Sequence, residues 1–259
     1  MFKISIITVN YNDAKGLERT ITSVINQSSL IFEYIVIDGG STDASLEVIK
    51  KYQNKINFFV SEKDSGIYNA MNKGIKVAKG EYLFFLNSGD HLFENNVLEN
   101  NHKFIIVQDI VYFNLQIIDK IEKFVKNYPD ELSFSYFVKD SLPHPATFIK
   151  KTVFDRVGHY DESLTIVSDW KFFIESVCKF NYSYKRIDET LSTFYLDGLS
   201  SDPNNKDLIF DEKHKVLSSH FQAYLKDNNQ FSELKSAIVN LRESKKIKLL
   251  VKLGLINKF

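Results

Sequence analysis

The chain has a single cysteine and no surplus of charge of either sign, and each shortage closes off a class of protein. A lone thiol, Cys178, forms neither an internal disulfide nor a multi-thiolate metal centre, which fits a reducing compartment. Its neighbours Val177 and Phe180 predict a thiol packed in the core. The 33 basic and 33 acidic side chains cancel, so no net field gathers nucleic acid and no nucleic-acid partner is expected. No window reaches the ~18 to 20 apolar residues that a spanning helix needs, because even "FIIVQDIVYF" is broken by Gln108 and Asp109. The opening "FKISIITVNYN" alternates and meets polar residues too early for a signal peptide, so a cytoplasmic protein is expected. A phosphate-cradling GxxxxGK[ST] loop, a GxGxxG fingerprint and an HExxH pair are all missing. Kinase-like, NAD-dependent and zinc-hydrolase chemistries therefore have nothing to stand on.

What is present is a chain of 259 residues, 44% hydrophobic and 25% charged, enough to bury a sizeable core. "KISIITV" (3–9) and "EYIVI" (33–37) are β-branched runs ending at polar clusters, and between them Leu17, Ile21, Val24 and Ile25 share one helical face. That is a βαβ unit. The pattern repeats with a helix from Asp43 carrying Leu46 and Ile49, a strand "INFFV" (56–60), and a helix through Ile67, Met71, Ile75 and Ala78. Gly80 is placed as a left-handed helix stop before the strand of "EYLFFLNSGD". Four strands separated by helices predict an α/β fold with a mostly parallel sheet flanked by helices. Ligands of such sheets sit beyond the carboxyl ends of the strands.

Four polar clusters fall at those ends: "NYND" (10–13), "DGGSTD" (38–43), "SEKDSG" (61–66) and "NSGD" (87–90). Taken singly, each has the composition of a turn or a helix cap, and Asp13, Thr42 or Asp43 could simply cap the helix that follows. Four in register on one edge suggest a binding site.

The ordered set "SIITVNYN", "YIVIDGGSTD", "SEKDSGIYNAMNKGIKVAKGEYLFFLNSGD", "HPATFIKK" and "GHYDESLTIVSDWKFF" resembles family 2 glycosyltransferases of the GT-A fold, over residues 3–200. The resemblance implies a nucleotide-diphosphate sugar donor, most often with a uracil base. By residue-wise carry-over, Thr8 and Tyr11 line the base pocket, Asp38 bonds the base, and Asp64 meets the base or ribose. Lys73 reaches the diphosphate if its helix face points inward. "NSGD" stands where the family carries an Asp-x-Asp motif whose last carboxylate holds a divalent cation, so the resemblance makes Asp90 the ligand of Mn²⁺ or Mg²⁺. Such a hard cation takes oxygen ligands and neutralises charge that builds on a departing diphosphate. Gly89 would let backbone approach the diphosphate. Asn87 replaces the first aspartate of many relatives; it keeps a hydrogen bond to the ribose but weakens cation binding, which His91 or Asp197 could complete.

Beyond residue 95 the alternation weakens. "FIIVQDIVYFNLQII" reads as strands and "DELSFSYFVKDSLPHPATFIKK" as mixed loop and strand, the acceptor half of the same domain. Phe134, Tyr136, Phe137 and Phe148 are candidates for stacking on a sugar. In "TIVSDWKFFIESVCKF", Trp170, Phe173, Ile174 and Val177 share the inner face of a helix that Ser168 or Asp169 could cap. The family carries its acceptor-activating carboxylate here, which makes Asp169 the general base of an inverting transfer. His144, between two prolines, either binds acceptor or phosphate or stabilises its loop.

The division expected is a nucleotide-sugar-binding half (1–95), an acceptor-binding half (96–204) and a helical C-terminal tail (205–259). "FYLDGLSSDPNNKD" (194–207) reads as a lid over the donor or as an exposed linker. The tail ends in lysines interleaved with leucines, suited to an anionic membrane surface at the inner face or to packing on the fold or a second subunit. The acceptor is then a glycan or a lipid-linked glycan in surface polysaccharide assembly. Two other classes compete. A nucleotidyltransferase calls for a glycine-rich basic loop that "TVNYNDAKG" does not offer, and a non-catalytic nucleotide- or glycan-binding module is favoured only by Asn87.

Overall fold

The computed structural model describes residues 3–28, 32–105, 108–119 and 122–257. Strand β1 (Ile4–Asn10) is buried along its whole length, since it lies between two parallel neighbours, β2 (Phe32–Asp38) and β4 (Tyr82–Phe85). A strand covered on both faces reads as a continuous apolar run. Helix α1 (Ala14–Ile25) follows, capped by Asp13, whose carboxylate accepts the Gly16 amide at 3.0 Å. Its Leu17, Ile21 and Val24 are fully buried, each stabilising the fold by about 1.5 to 3 kcal/mol. Helix α2 (Ser45–Tyr52), strand β3 (Phe58–Ser61) and helix α3 (Ile67–Val77) complete the expected alternation. β3 is an edge strand, so its Phe58 and Phe59 stay exposed.

The strands run in the order β3-β2-β1-β4, all parallel. The chain winds outward from β1 to β3 and returns to lay β4 on the other side of β1. Connections therefore leave β1 and β4 in opposite directions, opening a crevice beyond their carboxyl ends. "NYND" and "NSGD" emerge there. Gly80 corrects one expectation: α3 ends at Val77 with Ala78 extended, and Gly80 is not among the glycines of positive φ. A Cβ on it would lie 2.5 Å from the Ser5 amide, so close approach of β1 demands the glycine.

The second half holds β5 (His91–Leu92), α4 (Val97–Ile105), β6 (Ile110–Ile118), β7 (Lys123–Lys126), α5 (Phe134–Lys139), β8 (Thr147–Lys150), α6 (Lys151–Val157), α7 (Ser168–Ile174) and β9 (Tyr184–Tyr195). β8 inserts antiparallel between β4 and β6, β9 runs parallel to β6, and β5 pairs antiparallel with β9. Two expectations fail here. Phe104 and Ile105 finish helix α4 rather than open a strand, and residues 106–107 lie outside the described residues. Residues 134–139 of the segment expected as loop and strand form α5 instead, because Ser133 caps it by accepting the Tyr136 amide, while its Thr147–Lys150 is strand β8 as expected. Phe137 and Phe148 are fully buried, so neither offers a ring to a sugar. Trp170, Phe173, Ile174 and Val177 are buried as expected. Cys178 is only half-buried, and burial pushes its thiol up to about 11.

Helices α8 (Lys206–His220), α9 (Gln222–Glu243) and α10 (Lys245–Lys252) end the chain, which divides into two compact units, 1–212 and 213–259. Among the described residues no helix is long and apolar enough to cross a membrane.

Candidate active site

Asp38, the last residue of β2, is fully buried, and its carboxylate accepts from Asn10 Nδ2 (2.7 Å), Ser41 N (3.0 Å), Ser41 Oγ (2.6 Å) and Ser61 Oγ (2.6 Å). Burial alone would raise its pKa, but the hydrogen bonds from Ser41, Ser61 and Asn10 prevail and hold it below the ordinary value. Asp38 thus locks the ends of β1, β2 and β3 together. Asp64 lies over the neighbouring backbone: a Cβ on Gly39 would meet its Oδ2 at 2.5 Å, and its Oδ1 accepts the Gly66 amide. Thr8 is fully buried, its hydroxyl donating to Leu86 O at 2.8 Å and 3.0 Å from the Tyr34 hydroxyl. Tyr11, by contrast, is 67% exposed at the end of β1. Lys73 pairs with Glu62 at 2.9 Å, so its charge is spent beside the 61–66 loop.

The 87–90 turn follows β4. Gly89 has φ +99°, a conformation that a side chain would strain. Arg19 of α1 donates from Nε to Gly89 O at 2.7 Å and stacks its guanidinium 3.9 Å from the centre of the Tyr195 ring, clamping the turn to the end of β9. Asp90 is buried. Burial raises its pKa well above the ordinary value; the Tyr195 backbone amide and Arg19 oppose this, while the charge of Asp197 adds to it. On the same turn Asn87 Oδ1 is buried with no hydrogen-bond partner among the described residues, and so is Nδ1 of the adjacent His91. Burial, with Arg19 and Lys123, keeps His91 neutral. A cleft of about 530 Å³ opens beside the turn between α1 and β5, lined by Lys15, Arg19 and His91 among others.

Asp169 stands in the first turn of α7, yet neither it nor Ser168 caps the helix; Ser168 Oγ accepts the Asp161 amide instead. The capping alternative therefore falls away. Asp169 Oδ1 accepts from the Tyr68 hydroxyl at 3.0 Å, and that hydroxyl also contacts Ile166 O. Burial and the Asp169 charge hold the Tyr68 pKa well above its ordinary value, so it remains a phenol that donates. His144 is buried, stacked 4.9 Å from Phe85 of β4 and 2.8 Å from the Tyr160 hydroxyl. Burial outweighs the pull of Asp169 and keeps the imidazole neutral. Its packing matches the loop-stabilising alternative.

Residues 5–160 match the family model described as glycosyl transferase family 2. The chain belongs to this family. It is 31% identical over 180 residues to the PGL/p-HBAD biosynthesis glycosyltransferase of Mycobacterium bovis BCG, covering 67% of this chain and 68% of that protein. Staphylococcus aureus TarS 1–349, solved with UDP, superposes with a TM-score of 0.63 at 22% identity, covering 75% of this chain. The match spans 60% of that TarS chain. The mannosyltransferase PcManGT of Pyrobaculum calidifontis, solved with GDP-Man and Mn²⁺, superposes with a TM-score of 0.58 at 13% identity over 96% of this chain and 83% of that one. The fold is that of the GT-A glycosyltransferases.

In this glycosyltransferase, then, the expected residues fall in three neighbourhoods at the carboxyl edge: Asp38 with Asp64 over Gly39, Asn87 and Asp90 on one turn, and Asp169, which is held by the unexpected Tyr68. Thr8 and Lys73 are engaged in the protein's own bonds. The Asn87–Asp90 turn suits a hard cation: it offers a buried carboxylate and a buried amide oxygen, and although the Arg19 charge acts on Asp90, no salt bridge joins the two among the described residues. Among the described residues no three His, Cys, Asp or Glu side chains form a metal cage, so further ligands would come from the donor. The sequence reading missed Arg19 and Tyr68. Both act across long stretches of chain, 70 and 101 residues, where no local pattern signals them.

Proposed function

We propose that this glycosyltransferase moves a sugar, with inversion, from a UDP-linked donor to a hydroxyl of a glycan or lipid-linked acceptor in surface polysaccharide assembly. The observation that carries the reading is the 87–90 turn, where the Asp90 carboxylate is buried with no salt-bridge partner and Asn87 Oδ1 is buried with no hydrogen-bond partner among the described residues. Mn²⁺ or Mg²⁺ held by Asp90 and Asn87 would supply counter-charge to the leaving diphosphate. The uracil preference rests on the family resemblance and on TarS, which binds UDP. Tyr11, exposed at the end of β1, stacks on the base, while Asp64 meets the ribose. Asp38, saturated by four hydrogen bonds, shapes the base pocket by fixing Ser41 and Asn10.

In the reaction the acceptor oxygen forms a bond to the anomeric carbon as the carbon–oxygen bond to the diphosphate breaks, the electron pair leaving with the phosphate. Asp169 takes the acceptor proton. Its Oδ1 is held by Tyr68, which leaves Oδ2 for that proton. No covalent sugar–enzyme intermediate is needed. A lipid-linked acceptor would bring the enzyme to the inner face of a membrane, where the C-terminal helices would make contact.

A thermal-shift panel of UDP, GDP and ADP with and without Mn²⁺ tests the reading, because a ligand that binds only the folded state raises its stability. UDP with Mn²⁺ is expected to give the largest shift. No shift with any nucleotide diphosphate would sink the proposal.

A further inference from the structure

Half of the large apolar side chains exposed among the described residues, nine of eighteen, come from residues 213–259. They form two faces. On α9, Phe231, Leu234, Ile238 and Leu241 follow one another at spacings of three, four and three, a single exposed stripe. On α10, Leu249 and Leu253 are exposed one turn apart, and Leu255 is exposed just beyond, while Ile247, Leu250 and Val251 are half-buried. The helix is firmly ended: Gly254, at φ +69°, donates to Val251 O and Leu255 N to Leu250 O, the paired bonds of a Schellman stop.

The charge around the α10 face is of one sign. Residues 244–257 contain Lys245, Lys246, Lys248 and Lys252 and no acidic residue, in a chain whose net charge is zero. At 100° per residue, Lys245 and Lys252 flank Leu249 and Leu253 on one side and Lys246 on the other. Lys248 is paired with Glu243, but Lys245, Lys246 and Lys252 make no ion pair among the described residues. A second copy of the chain is a poor occupant. Continued along the heptad, the α9 seam meets Asp227 before Phe231 and Lys245 after Leu241, so it lasts two heptads where a coiled coil needs about three or more.

The geometry points to an anionic bilayer surface as the partner of α10, with Leu249, Leu253 and Leu255 entering the headgroup boundary and the lysines meeting lipid phosphates. This is the arrangement of an interfacial amphipathic helix, in which apolar burial and basic charge act together. It deepens the lipid-linked-acceptor reading and rests on it for its purpose, though not for its physics.

Cosedimentation of the full chain with vesicles of phosphatidylcholine alone, or with about 30% phosphatidylglycerol, tests the inference. Binding to the anionic vesicles is expected to be at least about tenfold stronger, to fall with salt, and to be lost in both the Lys245→Glu/Lys246→Glu and the Leu249→Ser/Leu253→Ser chains. Equal partitioning to both vesicles would overturn it. So would binding unchanged in the variants, or a dimer by light scattering that the leucine variant dissociates. Transfer to a soluble acceptor, read in parallel, separates the two ideas: these variants should keep it, and its absence in the unmodified chain would count against the transferase proposal alone.

Discussion

The Tyr68 hydroxyl donates to Asp169 Oδ1 at 3.0 Å, joining the first turn of α3 to the first turn of α7 across 101 residues. Residues 64–66, which precede α3, belong to the expected donor loop, so one phenol connects donor binding to the candidate base. Replacing it by phenylalanine keeps the ring against Tyr160, 5.7 Å away, and removes only the donor. A hydrogen bond to a charged group is worth about 1.5 to 3 kcal/mol, so Tyr68→Phe should lower kcat by about tenfold or more. Steady-state kinetics should find the donor KM unchanged; a loss confined to KM would contradict the positioning role.

Asp38 predicts a pH-dependent stability. Its folded-state pKa lies below the ordinary 3.8, so its ionised form is favoured more in the folded chain than in the unfolded one. That contribution is complete above the ordinary carboxylate range and is lost as pH falls through the folded value. Asp38→Asn should destabilise by about 2 kcal/mol at pH ~7, and the gap between the two proteins should narrow below pH ~3.5. Urea titrations at the two pH values measure it.

Asp90 predicts the opposite sign of stability. A buried carboxylate with no salt-bridge partner among the described residues, whose burial outweighs the pull of Arg19, weakens the unliganded fold, so Asp90→Asn should be at least as stable as the unmodified chain. The same change should abolish the extra thermal shift that Mn²⁺ gives with UDP. A variant that is less stable yet still answers to Mn²⁺ would show that Asp90 serves the fold alone.

Gly89 should tolerate no side chain. At φ +99° an alanine costs about 1 to 3 kcal/mol, or the turn relaxes and breaks the Arg19 bond to Gly89 O. Gly89→Ala should therefore lower the melting temperature and weaken cation-dependent nucleotide binding together, as a thermal-shift titration can check.

Sequence patterns carried the first half of the fold well, because β1 and β2 are buried on both faces and so read as unbroken β-branched runs, while Leu17, Ile21 and Val24 mark their helix face. They misread α4 and α5, since Phe104, Ile105, Phe134 and Phe137 suit a strand as well as a helix, and only the Ser133 cap and the packing decide. The clusters at the strand ends located the turn of Asp90 and the carboxylate of Asp38, but not how each is held. Arg19 and Tyr195 meet only after β9 has crossed back to pair with β5, and neither residue is unusual in its own stretch. Gly80 shows the same limit: a glycine after a helix looks like a stop, and only the sheet reveals that β1 presses on it.

The measurement that bears most directly on the account is transfer by Asp169→Asn, read alongside UDP affinity on the same preparation. If Asp169 takes the acceptor proton, turnover should fall by about a hundredfold or more while UDP with Mn²⁺ binds as before. Undiminished turnover, or turnover and nucleotide binding lost together, would contradict it.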